Sequence, residues 1–372
     1  MRTFQIDQTS KHDIRRFIQF PYRLYRGVQG WVPPLKLSLR NLLEKNHPIY
    51  DRAELAFFGV EKDGKIAGQI CVVNNHPYNE HTGKQAAFFS YFDCVDDLEV
   101  SEALFNQAFS WARKQGLKII LGPKGLQGSD PGGILIEGFE HPSVATVPYN
   151  FPYYQKHLEN AGFSKVTDHL SGRLMREDYI LPEKVNLIAE RVMERQGFTL
   201  QKFQTVDDIR PWVEPLKLAH RNSFMNNHQF YPPTEEEYNE TIETLLQIAD
   251  PKLLQVVTKG ESVVAFILAY PDVSDGFRKA KGNLYPFGWM HLLHAKKNSE
   301  VVMVNGLAII PEYRGRGTNA LMYLALQNAI YESHYQRLEA VMVNEINFTS
   351  KADNETLGVE WYKKHRSYQR QL

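Results

Sequence analysis

The sequence predicts an α/β (α+β) protein of two similar units, each a mixed, mostly antiparallel sheet flanked by helices. Three observations predict it. The same succession of elements can be read twice along the chain. The length of 372 residues exceeds what one hydrophobic core ordinarily serves. An apolar run at 301–310 also passes through a glycine turn straight into a helix-forming stretch. The expected division places one unit at residues 1–178 and the other at 179–372.

Bulk composition narrows the class of function. Hydrophobic residues make up 43% and charged residues 23%, the balance of an ordinary globular protein. Basic and acidic residues number 43 each, so no global field draws the chain to nucleic acid, and no nucleic-acid partner is expected. Cys71 and Cys94 read as buried thiols of a reducing compartment. The N-terminus carries no apolar signal core and no uninterrupted apolar run reaches about 18 residues. A cytoplasmic location without stable membrane insertion is therefore the expectation.

In order, residues 3–7 alternate weakly as a short strand, and Ser10 caps a helix over 11–20. An aromatic-rich connector fills 21–48. A hairpin of 56–60 and 66–73 turns at Asp63-Gly64, a strong turn signal. A strand at 85–94, a helix at 101–115 and a strand at 118–121 follow. Residues 122–152 form a long loop-rich stretch, then come a helix at 153–161 and a strand at 170–175. A linking helix at 179–194 opens the second unit. Its strand lies at 198–203, and Pro211 and Pro215 are expected to break the helical stretch 207–224. Thr234 with three glutamates opens a helix over 234–248. A hairpin (253–258, 263–270), an excursion at 271–299 and the strand–glycine turn–helix at 301–330 follow. A strand at 338–343, a short helix at 347–356 and a closing strand at 361–368 complete the chain.

The turn after residues 301–310 reads Pro311-Glu312-Tyr313-Arg314-Gly315-Arg316-Gly317-Thr318-Asn319. Glycines permit φ > 0 and close backbone approach, and the first-turn N–H groups of the next helix point at whatever lies there. Arg314 and Arg316 add positive charge. This segment resembles the acyl-CoA-binding motif of the GNAT superfamily of N-acetyltransferases, Gln/Arg-x-x-Gly-x-Gly/Ala after the fourth strand. Arg314 fills its first position and Gly317 its fourth. Asn319 stands at the sixth, where it either narrows the cradle or donates its own amide to a phosphate.

The resemblance implies that Gly315, Arg316, Gly317, Thr318 and Asn319 hold the CoA diphosphate. It also implies that the backbone of Leu307, Ala308 and Ile309 meets the pantetheine arm and the thioester carbonyl. Gly317→Val is expected to abolish CoA binding and leave the fold intact. The co-substrate implied is acetyl-CoA or another acyl-CoA, with no metal. Extended to the whole chain, the resemblance is to a tandem pair with a degenerate first copy, because Phe92 to Glu99 offers four acids and no glycine turn.

The reaction implied is direct acyl transfer to an amine, carried by positioning and by acid–base help. Glu345 is the first choice of base, with helix capping as its other reading. Asn347 is either a pantetheine contact or a helix N-cap. The tyrosine that many members carry on the following helix is missing from 348–356. His220-Arg221-Asn222 and Asn226-Asn227-His228 lie where the family contacts acceptors. The excursion 271–299 reads as a lid, as a dimer or membrane-surface patch, or as a helix folded onto its own core. His291 and His294 lack a third ligand. The acceptor implied is a small-molecule or peptide amine, and a homodimer is compatible with the pattern. Rival readings are a long-chain acyl or aminoacyl transferase of tandem type and a non-catalytic acyl-CoA-binding scaffold.

Overall fold

A computed structural model describes residues 1–126, 132–225 and 230–372. The first half supplies β1 (Arg2–Gln5), β2 (Ala53–Lys62), β3 (Lys65–Asn75), β4 (Ala86–Cys94), β5 (Ile119–Gly122), β6 (Ile134–Glu137) and β7 (Ser164–Met175). The second supplies β8 (Thr199–Gln201), β9 (Gln255–Lys259), β10 (Ser262–Pro271), β11 (Val301–Ile309), β12 (Arg337–Asn344) and β13 (Glu360–Gln371). Helices α1 (Lys11–Leu24), α2 (Lys36–Leu43), α3 (His76–Thr82), α4 (Leu98–Lys114) and α5 (Tyr154–Asn160) belong to the first half. In the second lie α6 (Glu183–Gln196), α7 (Val206–Ile209), α8 (Val213–Phe224) and α9 (Glu235–Ile248). They are followed by α10 (Ser274–Ala280), α11 (Gly288–Asn298), α12 (Thr318–Tyr331) and α13 (Phe348–Thr356).

Among the described residues the thirteen strands form one mixed sheet, ordered β1-β2-β3-β4-β5-β13-β7-β12-β11-β10-β9-β8, with β6 also paired to β13. The two expected sheets are thus joined. The join is an exchange of final strands. β13 closes the second half in sequence but lies against β5 and β6 of the first. β7 closes the first half in sequence but lies against β12 of the second. β7 and β13 pair with each other down the middle, from Glu360↔Arg173 to Gln369↔Ser164. The inner edges of the two halves are thereby paired with each other, with local register shifts, rather than left open.

A bidentate ion pair locks the exchange. Arg366 on β13 donates to both oxygens of Asp168 on β7, at 2.7 and 2.9 Å. Asp168 is buried, which opposes its ionisation. Arg366 and Lys165 more than offset that burial and hold its carboxyl below the usual range. Apolar clusters cover both faces of the sheet. One, built on Phe89, Phe105 and Phe163, packs α4 in the first half. Another, built on Leu321, Leu326 and Val264, packs α12 in the second.

Most elements lie where the pattern puts them, and the departures have local causes. Pro211 does break 207–224, into α7, a 3₁₀ turn at Arg210–Trp212 and α8. Pro215 sits in the first turn of α8, where its missing N–H has no intrahelical role. The strand expected at 170–175 begins at Ser164, because β13 pairs along its whole length. The stretch 122–152 contains β6, and 127–131 within it lie outside the described residues.

The exchange predicts mutual dependence. Deleting residues 360–372 strips the partner from β5, β6 and one edge of β7, so the truncated chain should lose its cooperative thermal transition, first half included. A first half that still melts cooperatively by circular dichroism would contradict this.

Candidate active site

The second half contains a fork. β11 and β12 run parallel and pair only over Val301–Val304 and Arg337–Ala340, after which no pairing links them. Two irregularities drive the strands apart. β11 skips a residue against β10 between Val304 and Gly306, which leaves the exposed Asn305 in a bulge. β12 shifts register against β7 between Ala340 and Val343, with Met342 in the left-handed region at φ 53°. Past the vertex, backbone groups on the open edge of β11 around Leu307, Ala308 and Ile309 face no partner strand.

At the end of that edge the chain makes a 3₁₀ turn, Pro311–Tyr313, and enters α12. The N-cap of α12 is Gly317 at φ 84°, with no side-chain cap bond. Among the described residues, the N–H groups of Gly315, Gly317, Thr318 and Asn319 have no acceptor within the protein. Unpaired N–H donors at a helix start are the kind of group that can receive an anion. Gly315, at φ 71°, has open space where a Cβ would stand. Gly317 does not. A Cβ there would meet Ile188 Cγ2 at 2.6 Å and Val192 Cγ2 at 2.8 Å on α6. The expectation that Gly317→Val leaves the fold intact is therefore corrected, since valine would force α6 from α12. Arg314 also works differently from the expectation. Its Nε donates to Ile309 O at 3.1 Å and its NH2 group to Ser223 O at 2.9 Å, tying the turn to β11 and α8. Arg316 is exposed and lies over the Tyr313 ring at 5.6 Å. Thr318 is buried and ties its hydroxyl to Tyr313 O.

The first half repeats the divergence but caps the helix that follows. β4 and β5 pair in parallel only over Ala86–Phe88 and Ile119–Leu121. The next helix, α4, is N-capped by Asp97, whose carboxylate accepts from the N–H groups of Glu99 and Val100. Lys62 then pairs with Asp97 at 2.5 Å. The position a phosphate would need is taken by the chain's own anion, a cap worth about 1 kcal/mol. Where β4 and β5 part, a cavity of about 440 Å³ is lined by residues that include Tyr25, Asp93, Lys124 and Tyr154. Burial pushes the Asp93 carboxyl up to about 6.

The candidate base separates from the fork. Glu345 accepts from Asp168 N–H at 2.9 Å and from Lys165 Nζ at 2.8 Å. Burial raises its pKa, but the lysine and the amide lower it further, so it rests below the usual carboxylate range. It serves the strand exchange and makes a weak base. Asn347 does cap α13, its side-chain oxygen accepting from Ser350 N–H at 3.2 Å. That leaves its amide N–H as the group able to meet a ligand. His220 is enclosed by Phe224, Phe230 and Tyr238, and burial lowers it to about 4, a neutral ring. Asn226, Asn227 and His228 lie outside the described residues.

A different acid stands at the fork. Glu339 sits on β12 opposite Met303, two residues before Val341, and is 1% exposed. Tyr362 on β13 donates its hydroxyl to one carboxylate oxygen, while the other, buried, has no hydrogen-bond donor. Burial raises Glu339 to about 7, against the pull of Tyr362, Arg337 and Lys363. Lys363 beside it is lowered by burial to about 8 and donates to Pro142 O at 2.8 Å. The sequence signal was available, for Glu339 is a lone acid inside the apolar strand Leu338–Val343. The excursion 271–299 forms α10 and α11, tied to the first half where Asp272 accepts from Ala145 N–H at 2.9 Å. Beneath it, Val144, Val147, Val273, Ala295, Met303 and Val341 make one apolar cluster reaching the vertex.

No family model matches the sequence. The chain is 28% identical over 381 residues to protein YghO of Escherichia coli, covering all of this chain and 95% of that one. It is 27% identical over 374 residues to a bacterial ceramide synthase of Caulobacter vibrioides, covering 97% and 95%. Among solved structures it superposes on a tandem GNAT protein from the clavulanic acid biosynthesis pathway. That match has a TM-score of 0.57 at 11% identity and covers 100% of this chain and 98% of the other. The fork, the bulge, the glycine-started helix and this whole-length match agree: the chain has the GNAT fold in its tandem arrangement.

Proposed function

We propose that this protein transfers an acyl group from a CoA thioester to the amine of a long-chain, lipid-like acceptor. The observation that carries the reading is the uncapped start of α12 at the end of the open edge of β11. It supplies donors for a diphosphate and an adjoining strand edge for an amide-bearing arm. In this reading Gly315, Arg316, Gly317, Thr318 and Asn319 hold the diphosphate, Arg314 fixes the turn, and Asn347 meets the pantetheine. Leu307, Ala308 and Ile309 give the thioester carbonyl its backbone donors.

The second unit, 179–372, carries the cofactor, and the first, 1–178, completes the sheet and walls the acceptor side. The attacking amine forms the C–N bond, the C–S bond breaks, and the leaving thiolate takes a proton from solvent. Glu339, coupled to Tyr362, accepts the amine proton in place of Glu345. A long-chain acceptor is supported by the apolar cluster at the vertex. The likeness to a protein named as a ceramide synthase also supports it, since a ceramide is an amide of a long-chain amino alcohol.

Three tests follow from this reading. Thiol release should be seen with palmitoyl-CoA and a long-chain amino alcohol; no release above hydrolysis with any chain length or amine would overturn catalysis. Asn319→Glu places an acid in the first turn of α12, which favours the helix but repels phosphate. Calorimetry should show CoA affinity falling at least about tenfold, roughly 1.4 kcal/mol, with melting unchanged; equal affinity would remove the cradle.

Glu339 gives a pH signature. Its folded-state pKa is raised from 4.5 to about 7, so its contribution is fully present below 4.5 and is lost as pH rises through 7. The loss at pH 8 is on the order of 3 kcal/mol. Glu339→Gln should flatten the slope of stability between pH 5 and 8 (roughly the window of that titration) and lower kcat. A variant that keeps both the slope and the rate would exclude Glu339.

A further inference from the structure

We infer that the segment joining β10 to β11 is a docking surface for an anionic lipid bilayer. Five of its large apolar side chains are exposed. Tyr285 is 83% exposed, Phe287 68%, Trp289 47%, Met290 50% and Leu293 56%. On α11 only Gly288 and Ala295 are buried; Leu292 is half-buried against α10, while Trp289, Met290 and Leu293 are exposed. That reverses the arrangement of a helix folded onto its own core.

The support beneath is stiff. A Cβ at Gly276 on α10 would lie 2.8 Å from His291 O and 2.9 Å from Leu292 Cα, so the two helices pack backbone to backbone. Lys296 Nζ donates to Gln247 O at 2.9 Å and ties α11 to α9. Trp289 already donates its indole N–H to Pro286 O at 3.0 Å, so it can enter an interfacial layer without an unmet donor.

Charge selects the occupant. The acids of this segment, Asp272, Asp275 and Glu300, stand at its two ends, and residues 276–299 contain none. Exposed Lys279 and Lys281 precede the aromatic run in sequence and exposed Lys297 follows it. Exposed aromatic side chains flanked by lysines match the interface of a negatively charged bilayer. A second copy docking the same face would set like charges against each other. Leu37 of α2 adds a further exposed apolar side chain alongside, since Lys36 N–H donates to Gly282 O at 2.8 Å.

The test is co-sedimentation of the full chain, without CoA, with phosphatidylcholine vesicles that contain or lack phosphatidylglycerol. The wild type should pellet with the anionic vesicles, less so as salt rises. The triple variant Tyr285→Ser, Phe287→Ser, Trp289→Ser should lose at least about tenfold in partitioning, and Lys279→Ser, Lys281→Ser, Lys297→Ser should lose the preference for phosphatidylglycerol. All six side chains are exposed, so unchanged melting temperatures would confirm intact folds. Absence of pelleting with anionic vesicles, or equal pelleting by the aromatic variant, would overturn the proposal. So would a wild-type dimer that ignores vesicles and becomes monomeric in the aromatic variant. Since no CoA is present, failure here leaves acyl transfer untouched, and failed thiol release leaves docking untouched.

Discussion

The pairing of β7 with β13 is the constraint on which the rest of the molecule depends. Each strand ends one half of the chain and completes the sheet of the other, so neither half has a closed set of edges alone. The pairing is fastened by Arg366 and Asp168, whose two short bonds lie in a largely buried setting where an unpaired carboxylate would be costly. Lys165 and Glu345 extend the same network to the far end of β12. One electrostatic cluster thus sets the position of β12 relative to the first half, and β12 is one arm of the fork.

The fork exists because two strands that begin in parallel register are each disturbed on their outer edge. The bulge at Asn305 turns β11 and the register shift beside Met342 turns β12, so the pair cannot continue. What remains is an open strand edge leading to a helix start with unmet donors. The comparison within the molecule shows what this requires. α4 and α12 stand in corresponding places, yet α4 satisfies its own N-terminus with Asp97, while α12 begins with glycine and satisfies nothing. An aspartate cap and no glycine turn at one helix start, against two glycines and no cap at the other, separate satisfied donors from unmet ones.

The site also gathers polar groups from distant parts of the chain. Glu339 from β12, Tyr362 and Lys363 from β13 and Pro142 of the loop between β6 and α5 meet beneath the α10–α11 segment. Burial drives the acid up and the lysine down, so both titrate near neutrality. Such pairs are costly in a core and common where protons must be moved. The α10–α11 segment, packed on that cluster, turns its aromatic side outward.

The local features were legible in the sequence for local reasons. The glycine turn at 315–317, the Asp63-Gly64 hairpin, the Thr234 capping box and the break at Pro211 depend on neighbours a few residues away, and such patterns report φ preferences and helix ends directly. One of the acids of 92–99, Asp97, caps α4. The role of Glu345 was not legible, because its partners Lys165 and Asp168 lie far back in the chain and arrive only when β7 crosses to β12. Nor was the clash at Gly317, which depends on Ile188 and Val192 of another helix. By itself the sequence determined the order of elements, the turns and the uncapped helix start, all properties of short-range backbone geometry. Tertiary structure alone decided the strand exchange, the partners that meet Glu339 and the face α11 shows to solvent, because edge pairing and burial are settled between residues far apart in the chain.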